Sequence, residues 1–94
     1  MLTRIVKMIF APECVSDFLK VFEEKKILIA NFEGCRSVQL LRDIDSPNIF
    51  FTYSQWDNSE SIEKYRNSVL FIETWDTVKK YFIAKPEAWS VQGV

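Results

Sequence analysis

The sequence predicts a ferredoxin-like α+β protomer in the order β-α-β-β-α-β, and three observations carry that reading. Four stretches alternate apolar and polar residues with the two-residue period of a strand. One long segment and one paired segment with helical spacing separate them, an order that gives a four-stranded antiparallel sheet with its helices on one face. Apolar residues also occupy both parities of the strands, so the second sheet face needs covering. Pairing two such sheets face to face gives a dimeric α+β barrel, with the last strand around Trp89 crossing or flanking the interface.

The first strand spans Leu2 to Phe10, with Arg4, Val6, Met8 and Phe10 on one face and Thr3, Ile5, Lys7 and Ile9 on the other. Ala11-Pro12 ends it. Pro12 fits a first helical turn, Glu13 suits the positive helix start, and Val15, Phe18, Leu19 and Phe22 recur at helical spacing through about Ile29. Asn31 to Gly34 supplies turn-type residues before a second strand, Cys35 to Arg42, with Val38 and Leu40 on one face. Ser46-Pro47-Asn48 marks a loose hairpin loop, and the third strand runs from Ile49 to Trp56. Helical spacing resumes from about Ser59 to Asn67 and from Leu70 to about Phe82, where Phe71, Trp75, Val78 and Phe82 form a stripe. Ala84 to Glu87 breaks the helix, and Ala88 to Val94 reads as the last strand.

The stretch Phe51 to Phe82 is the richest. Thr52, Ser54 and Trp56 alternate with Phe51, Tyr53 and Gln55, so one strand face ends on Trp56 just before a polar turn. Asp57 with Glu60 three residues later reads as a capping-box-like helix start, with Asp57, Asn58 and Ser59 all suited to the cap. A strand ending in Trp56, the turn Asp57 to Ser59, a helix over Ile62 to Arg66 and a Ser68-x-x-Phe71 element together resemble the antibiotic-biosynthesis monooxygenase family of small dimeric α+β barrels. The resemblance extends loosely over nearly the whole chain. Relatives of this kind include quinol oxygenases, haem-degrading enzymes, lactone isomerases and proteins without known activity, so the fold alone licenses no reaction.

Length and composition bound the alternatives. A chain of 94 residues makes one domain, residues 1–94, large enough to bury roughly 60 to 65 % of its unfolded surface and small enough to gain from self-association. Apolar residues make up 48 % and aromatics 15 %, and Phe occurs eight times. Such a chain builds a densely aromatic core, or hides aromatic surface in a pocket or interface. The net charge of −1, with both signs interspersed, leaves no electrostatic footprint for nucleic acid or an anionic membrane. The start lacks a signal-peptide pattern and no apolar run approaches the roughly 18 residues of a membrane span, so a cytoplasmic protein is expected. No histidine occurs, and Cys14 and Cys35 lack CxxC spacing. Two half-buried thiols are therefore expected, and any metal site would need nearly all-oxygen ligands.

The family resemblance places Trp56, Tyr65 and Trp75 around a cavity between sheet and helices. Large aromatics at helical spacing also serve simply as core. The haem-degrading branch uses an Asn on the first strand, a Trp on the helix and a downstream His on iron, positions that fall here at Val6, Tyr65 and Trp75. With no histidine the proximal ligand is missing, which argues against haem. A cofactor-independent oxygenase asks less of the protein, because an electron-rich phenol or hydroquinone supplies the redox chemistry. In that reading Tyr65 and Trp56 are catalytic donors, while Trp75, Phe51, Phe71 and Phe82 bind the substrate; metal and cofactor are both absent. The base is not legible. Glu60, Glu73, a Lys or a tyrosinate would take the proton, unless the substrate arrives ionised. Glu60, Glu63, Asp76, Lys79 and Lys80 also form an ordinary solvated helix face, and Arg36 or Arg42 would steady an oxyanion only by pointing inward. The expected partners are a second copy of the chain and a hydrophobic aromatic small molecule. The competing class is a non-catalytic dimer that holds a small apolar ligand, or fills its cavity with its own aromatics.

Overall fold

Alternation settles the sheet first. Leu2–Ile9 (β1), Cys35–Arg42 (β2), Ile49–Trp56 (β3) and Glu87–Val91 (β4) are its four strands in a computed structural model that describes residues 1–94. They pair antiparallel in the order β2-β3-β1-β4. Arg4 stands opposite Ser54, Val6 opposite Thr52 and Met8 opposite Phe50, so these side chains share one face with Trp56. That face carries the helices: Val15–Ala30 (α1), entered through a 3-10 turn at Pro12–Cys14, and the pair Ser59–Arg66 (α2) and Val69–Val78 (α3). The fold is the ferredoxin-like α+β arrangement that the element order predicts. No helix is long and apolar enough to cross a membrane.

Differences from expectation lie at element ends and have local causes. Asn58, not Asp57, caps α2: its Oδ1 accepts from the Ser61 backbone N–H at 3.0 Å and from Ser61 Oγ at 3.1 Å. Asp57 instead accepts from Arg36 Nε at 2.5 Å, because a bulge between Cys35 and Ser37 turns Arg36 out of the β2 ladder. The last helix stops at Val78 and tightens into a 3-10 turn, Lys79–Tyr81, before Phe82 turns extended. β4 ends at Val91, opposite Thr3, where its partner β1 runs out.

The core is an aromatic stack on the helix-bearing face. Phe10 is fully buried; its ring lies 4.1 Å from that of Phe18 and 5.3 Å from that of Phe82, and Phe50 packs beside both Phe10 and Phe18. Met8, Phe22 and Val78 complete the cluster. The backbone at Phe10 is held from two sides. Its N–H donates to Asn48 O at 3.0 Å while Asn48 Nδ2 donates to its carbonyl at 2.9 Å, and Ala11 N–H donates to Tyr81 O at 2.9 Å. The opposite sheet face is also apolar: Ile5 lies across from Tyr53 and Trp89, and Phe51 from Leu41. No helix covers this face, and Trp89 keeps 44 % of its surface exposed.

Gly34 is where the turn after α1 meets the start of α2. Its φ of 86° suits glycine, its carbonyl accepts from Asp57 N–H at 2.9 Å, and a Cβ there would collide with the Ser61 side chain. Gly34→Ala is expected to destabilise the fold by roughly 1–3 kcal/mol. The check is a lowered urea midpoint with an unchanged far-ultraviolet spectrum.

Candidate functional site

A cavity of about 310 Å³ opens between the helix-bearing face of the sheet and the three helices. Strand parity supplies its floor, since Val6 of β1 and Thr52 and Ser54 of β3 point the same way. Helical spacing supplies its walls: Phe18 and Phe22 from α1, Tyr65 from α2, and Phe71 and Trp75 from α3. Thirteen of its 20 lining residues are hydrophobic, so the interior suits apolar groups better than charged ones.

The Ser68-x-x-Phe71 element aligns that wall. Ser68 caps α3, its Oγ accepting from Phe71 N–H at 3.1 Å while donating to the Tyr65 carbonyl at 2.5 Å. One hydroxyl thus ties the last turn of α2 to the first turn of α3. Tyr65 and Phe71 meet edge to face at 5.2 Å, and Phe71 and Trp75 stack at 5.7 Å.

Tyr65 is the polar centre of the apolar wall. Its ring packs against Trp56 at 5.0 Å and Phe32 at 5.4 Å. Burial, with a smaller contribution from Cys35, pushes its phenol up to about 12, so it is a neutral O–H donor across the physiological range. No hydrogen bond to another residue occupies that hydroxyl.

Of the residues expected at the site, Tyr65, Trp56, Phe71 and Trp75 come together on the cavity wall. Trp56 needs a correction as a donor: it is 1 % exposed and its Nε1–H donates to Ser54 Oγ at 2.9 Å, which in turn donates to the Arg4 carbonyl at 3.4 Å. Its indole shapes the cavity and its N–H is spent inside the fold. Phe51 does not reach the cavity, because it lies one residue off the parity of Thr52 and points to the opposite sheet face. Phe82 stands behind the wall, meeting Trp75 edge-on at 5.4 Å and stacking on Phe10. Arg36 pairs with Asp57 at the surface and Arg42 lies 4.7 Å over the Phe50 ring, so neither serves as an oxyanion donor here.

Sequence reasoning missed the three charged members. Arg4, Arg66 and Glu87 all line the cavity, and Glu87 is its one carboxylate; Glu60 and Glu73 stay on the exposed helix face. The signals were present: Arg4 shares the inward parity of Val6 and Met8, and Arg66 follows the buried Ile62 by one helical turn. Burial, then the neighbouring Arg66, lowers the Arg4 pKa, while Glu63 opposes the shift.

The donor set does not suit an iron cofactor. The chain has no histidine, and of the weaker ligand types on the cavity wall Tyr65 is a neutral phenol in the metal-free chain and Met8 packs against the phenylalanine core. Both cysteines are free and half-buried, and burial pushes the Cys35 thiol up, away from the thiolate. No group of three His, Cys, Asp or Glu side chains gathers as metal ligands.

Comparison with known proteins agrees with this architecture. The family model described as "Antibiotic biosynthesis monooxygenase" matches residues 1–81. The crystal structure of an antibiotic biosynthesis monooxygenase superposes with a TM-score of 0.94 at 16 % identity, covering 100 % of this chain and 99 % of that one. A conserved protein from Methanosarcina mazei Go1 superposes with a TM-score of 0.91 at 19 % identity, covering 98 % of this chain and 92 % of that one. At such identities the likeness is one of fold. A Natronomonas pharaonis protein named as a proposed heme binder is 29 % identical over 75 residues, which are 80 % of this chain and only 12 % of that protein's length.

The Tyr65 environment yields a pH prediction. The unfolded chain ionises this phenol near its ordinary value of about 10, whereas the folded chain holds it neutral to about 12. Its contribution to stability is therefore complete below about pH 10 and is lost as pH rises through about 12. Ultraviolet titration is expected to show a late tyrosinate step near pH 12 that is missing in Tyr65→Phe.

Proposed function

Because the chain belongs to the antibiotic biosynthesis monooxygenase family, we propose that it is a cofactor-independent monooxygenase acting on an aromatic, phenolic or quinol-like small molecule held in this cavity. The observation that carries the reading is the neutral Tyr65 hydroxyl, free of protein partners, on an otherwise aromatic wall of a cavity of about 310 Å³. Phe71 and Trp75 hold the substrate ring, and Tyr65 donates to the oxygen on which negative charge develops. Trp56 positions Tyr65 through ring contact.

In this reaction the substrate enters as a phenolate and passes one electron to dioxygen. The phenoxyl radical and superoxide join through a new C–O bond, giving a peroxide that takes up one proton. Loss of the proton on that ring carbon then breaks the O–O bond and expels hydroxide. One oxygen atom remains as a quinone carbonyl, and the other leaves as water once hydroxide takes up a proton. The cavity excludes bulk water from the radical pair, and the charge on the oxyanion is met by a fixed O–H dipole. A haem, suggested by the Natronomonas relative's name, would find no histidine in this chain to serve as its axial ligand.

We further propose that two copies associate through the open sheet face. Burying Ile5, Phe51, Tyr53 and Trp89 removes an apolar patch from water, while leaving it bare invites non-specific association. Light scattering at micromolar protein is expected to give about twice the 11.1 kDa chain mass. A stable monomer there removes the dimer.

One observation favours a second reading, retention of a ligand without turnover: the only carboxylate on the cavity wall, Glu87, sits on an exposed strand, so no buried base is at hand. Oxygen uptake by chelator-treated protein, against hydroquinones and polycyclic phenols with autoxidation subtracted, separates the two. Saturable uptake that falls roughly a hundredfold in Tyr65→Phe is expected for the oxygenase. Uptake no greater than the blanks leaves ligand retention.

A further inference from the structure

Among the polar residues that line the mainly apolar cavity, two are guanidinium groups near enough to influence each other electrostatically. Arg4 reaches the cavity from β1 and Arg66 from the last turn of α2. The Arg4 side chain is held in place, its Nη1 donating to Ser90 Oγ at 2.9 Å. Neither arginine is in an ion pair; the two pairs of the chain are Arg36 with Asp57 and Lys79 with Asp76. The carboxylates nearby are Glu87 on the cavity wall and Glu63 on α2, so the wall itself carries two cations and one anion.

We propose that Arg4 and Arg66 form an anion-anchoring subsite, so that the ligand of this cavity is an aromatic carboxylate whose charged end lies at these two residues and whose ring lies against Tyr65, Phe71 and Trp75. The inference deepens the proposed function, on whose cavity reading it rests. Guanidinium is the side chain suited to it, because its planar fork matches a carboxylate and it stays protonated. Two like charges on one wall repel each other, and the lowered pKa of the half-buried Arg4 registers first its lost solvation and then that repulsion, with Glu63 opposing both. A bound carboxylate reverses the sign of the encounter and offers acceptors to the guanidinium donors that the Ser90 hydroxyl leaves unused. The apolar remainder of the wall restricts the guest to an amphiphile, since a bare inorganic anion leaves it uncovered.

The test is calorimetric titration of the whole protein with an isosteric pair, 2-naphthoate and 2-naphthamide, in low salt. The carboxylate is expected to bind at least about tenfold more tightly than the amide, because the neutral amide keeps the shape but gives up the charge-assisted pairing. Arg66→Gln, at an exposed position, and Arg4→Lys, which keeps the charge and loses the fork, are each expected to weaken naphthoate binding several-fold and leave naphthamide binding unchanged. Equal affinity for the two probes in the parent protein overturns the anchoring subsite while leaving the aromatic cavity in place. Loss of affinity for both probes alike in Arg66→Gln also overturns it, because the arginine then shapes the cavity and does not read charge. Binding of neither probe removes the cavity reading and the subsite together.

Discussion

An unbroken run of aromatic contacts holds this chain together, and most other features hang on it. Phe22 packs on Phe18, Phe18 on Phe10 and Phe10 on Phe82. From Phe82 the contacts pass to Trp75, Phe71, Tyr65 and Trp56, each ring within 6 Å of the next. The run joins core to cavity wall, with Phe18 and Phe22 serving both. Phe82 is the junction, and it is held there because Ala11 and Ile83 bond across to Tyr81 and Ile9. Core packing and site geometry are consequently one problem for this sequence: a change that moves Phe10 moves the ring behind Trp75. Interiors packed at crystal-like density transmit such shifts.

The same economy appears in the polar groups. Ser54 satisfies the buried Trp56 indole, Ser68 joins two helices through a single hydroxyl, and Asn48 closes both hydrogen bonds at the Phe10 backbone. No buried side-chain nitrogen or oxygen is left without a partner. Against that background Tyr65 and Arg66, whose side-chain donors meet no protein acceptor, stand out on the cavity wall.

Much of the fold was legible because strand parity and turn residues are local signals. Cys35–Arg42 and Ile49–Trp56 follow directly from alternation bounded by Gly34 and by Ser46-Pro47-Asn48. The cap of α2 was not, because Asp57, Asn58 and Ser59 are equally good acceptors until Arg36, remote in sequence, claims Asp57. The site was legible in part. Tyr65, Phe71 and Trp75 line the cavity, a placement that for Tyr65 and Trp75 came from the family resemblance and not from spacing, but Phe51 carries the right residue type at the wrong parity, and parity decides. Arg4 shows the converse: its place on an inward face was readable, but that a charge there lines a cavity became visible only once α2 brought Arg66 beside it.

The two outer strands limit how the sheet can grow. β4 is only five residues long, follows Pro86 directly and gives way to Gly93 two residues after its end; β2 is kinked by the bulge at Arg36 and ends on Arg42. Shortness, proline, a bulge and terminal charge are the features that discourage strand addition at an exposed edge. This sheet is therefore poorly suited to lengthen sideways into a ribbon of stacked chains. Association of the sheet with another surface is thus easier across its apolar face than along its edges.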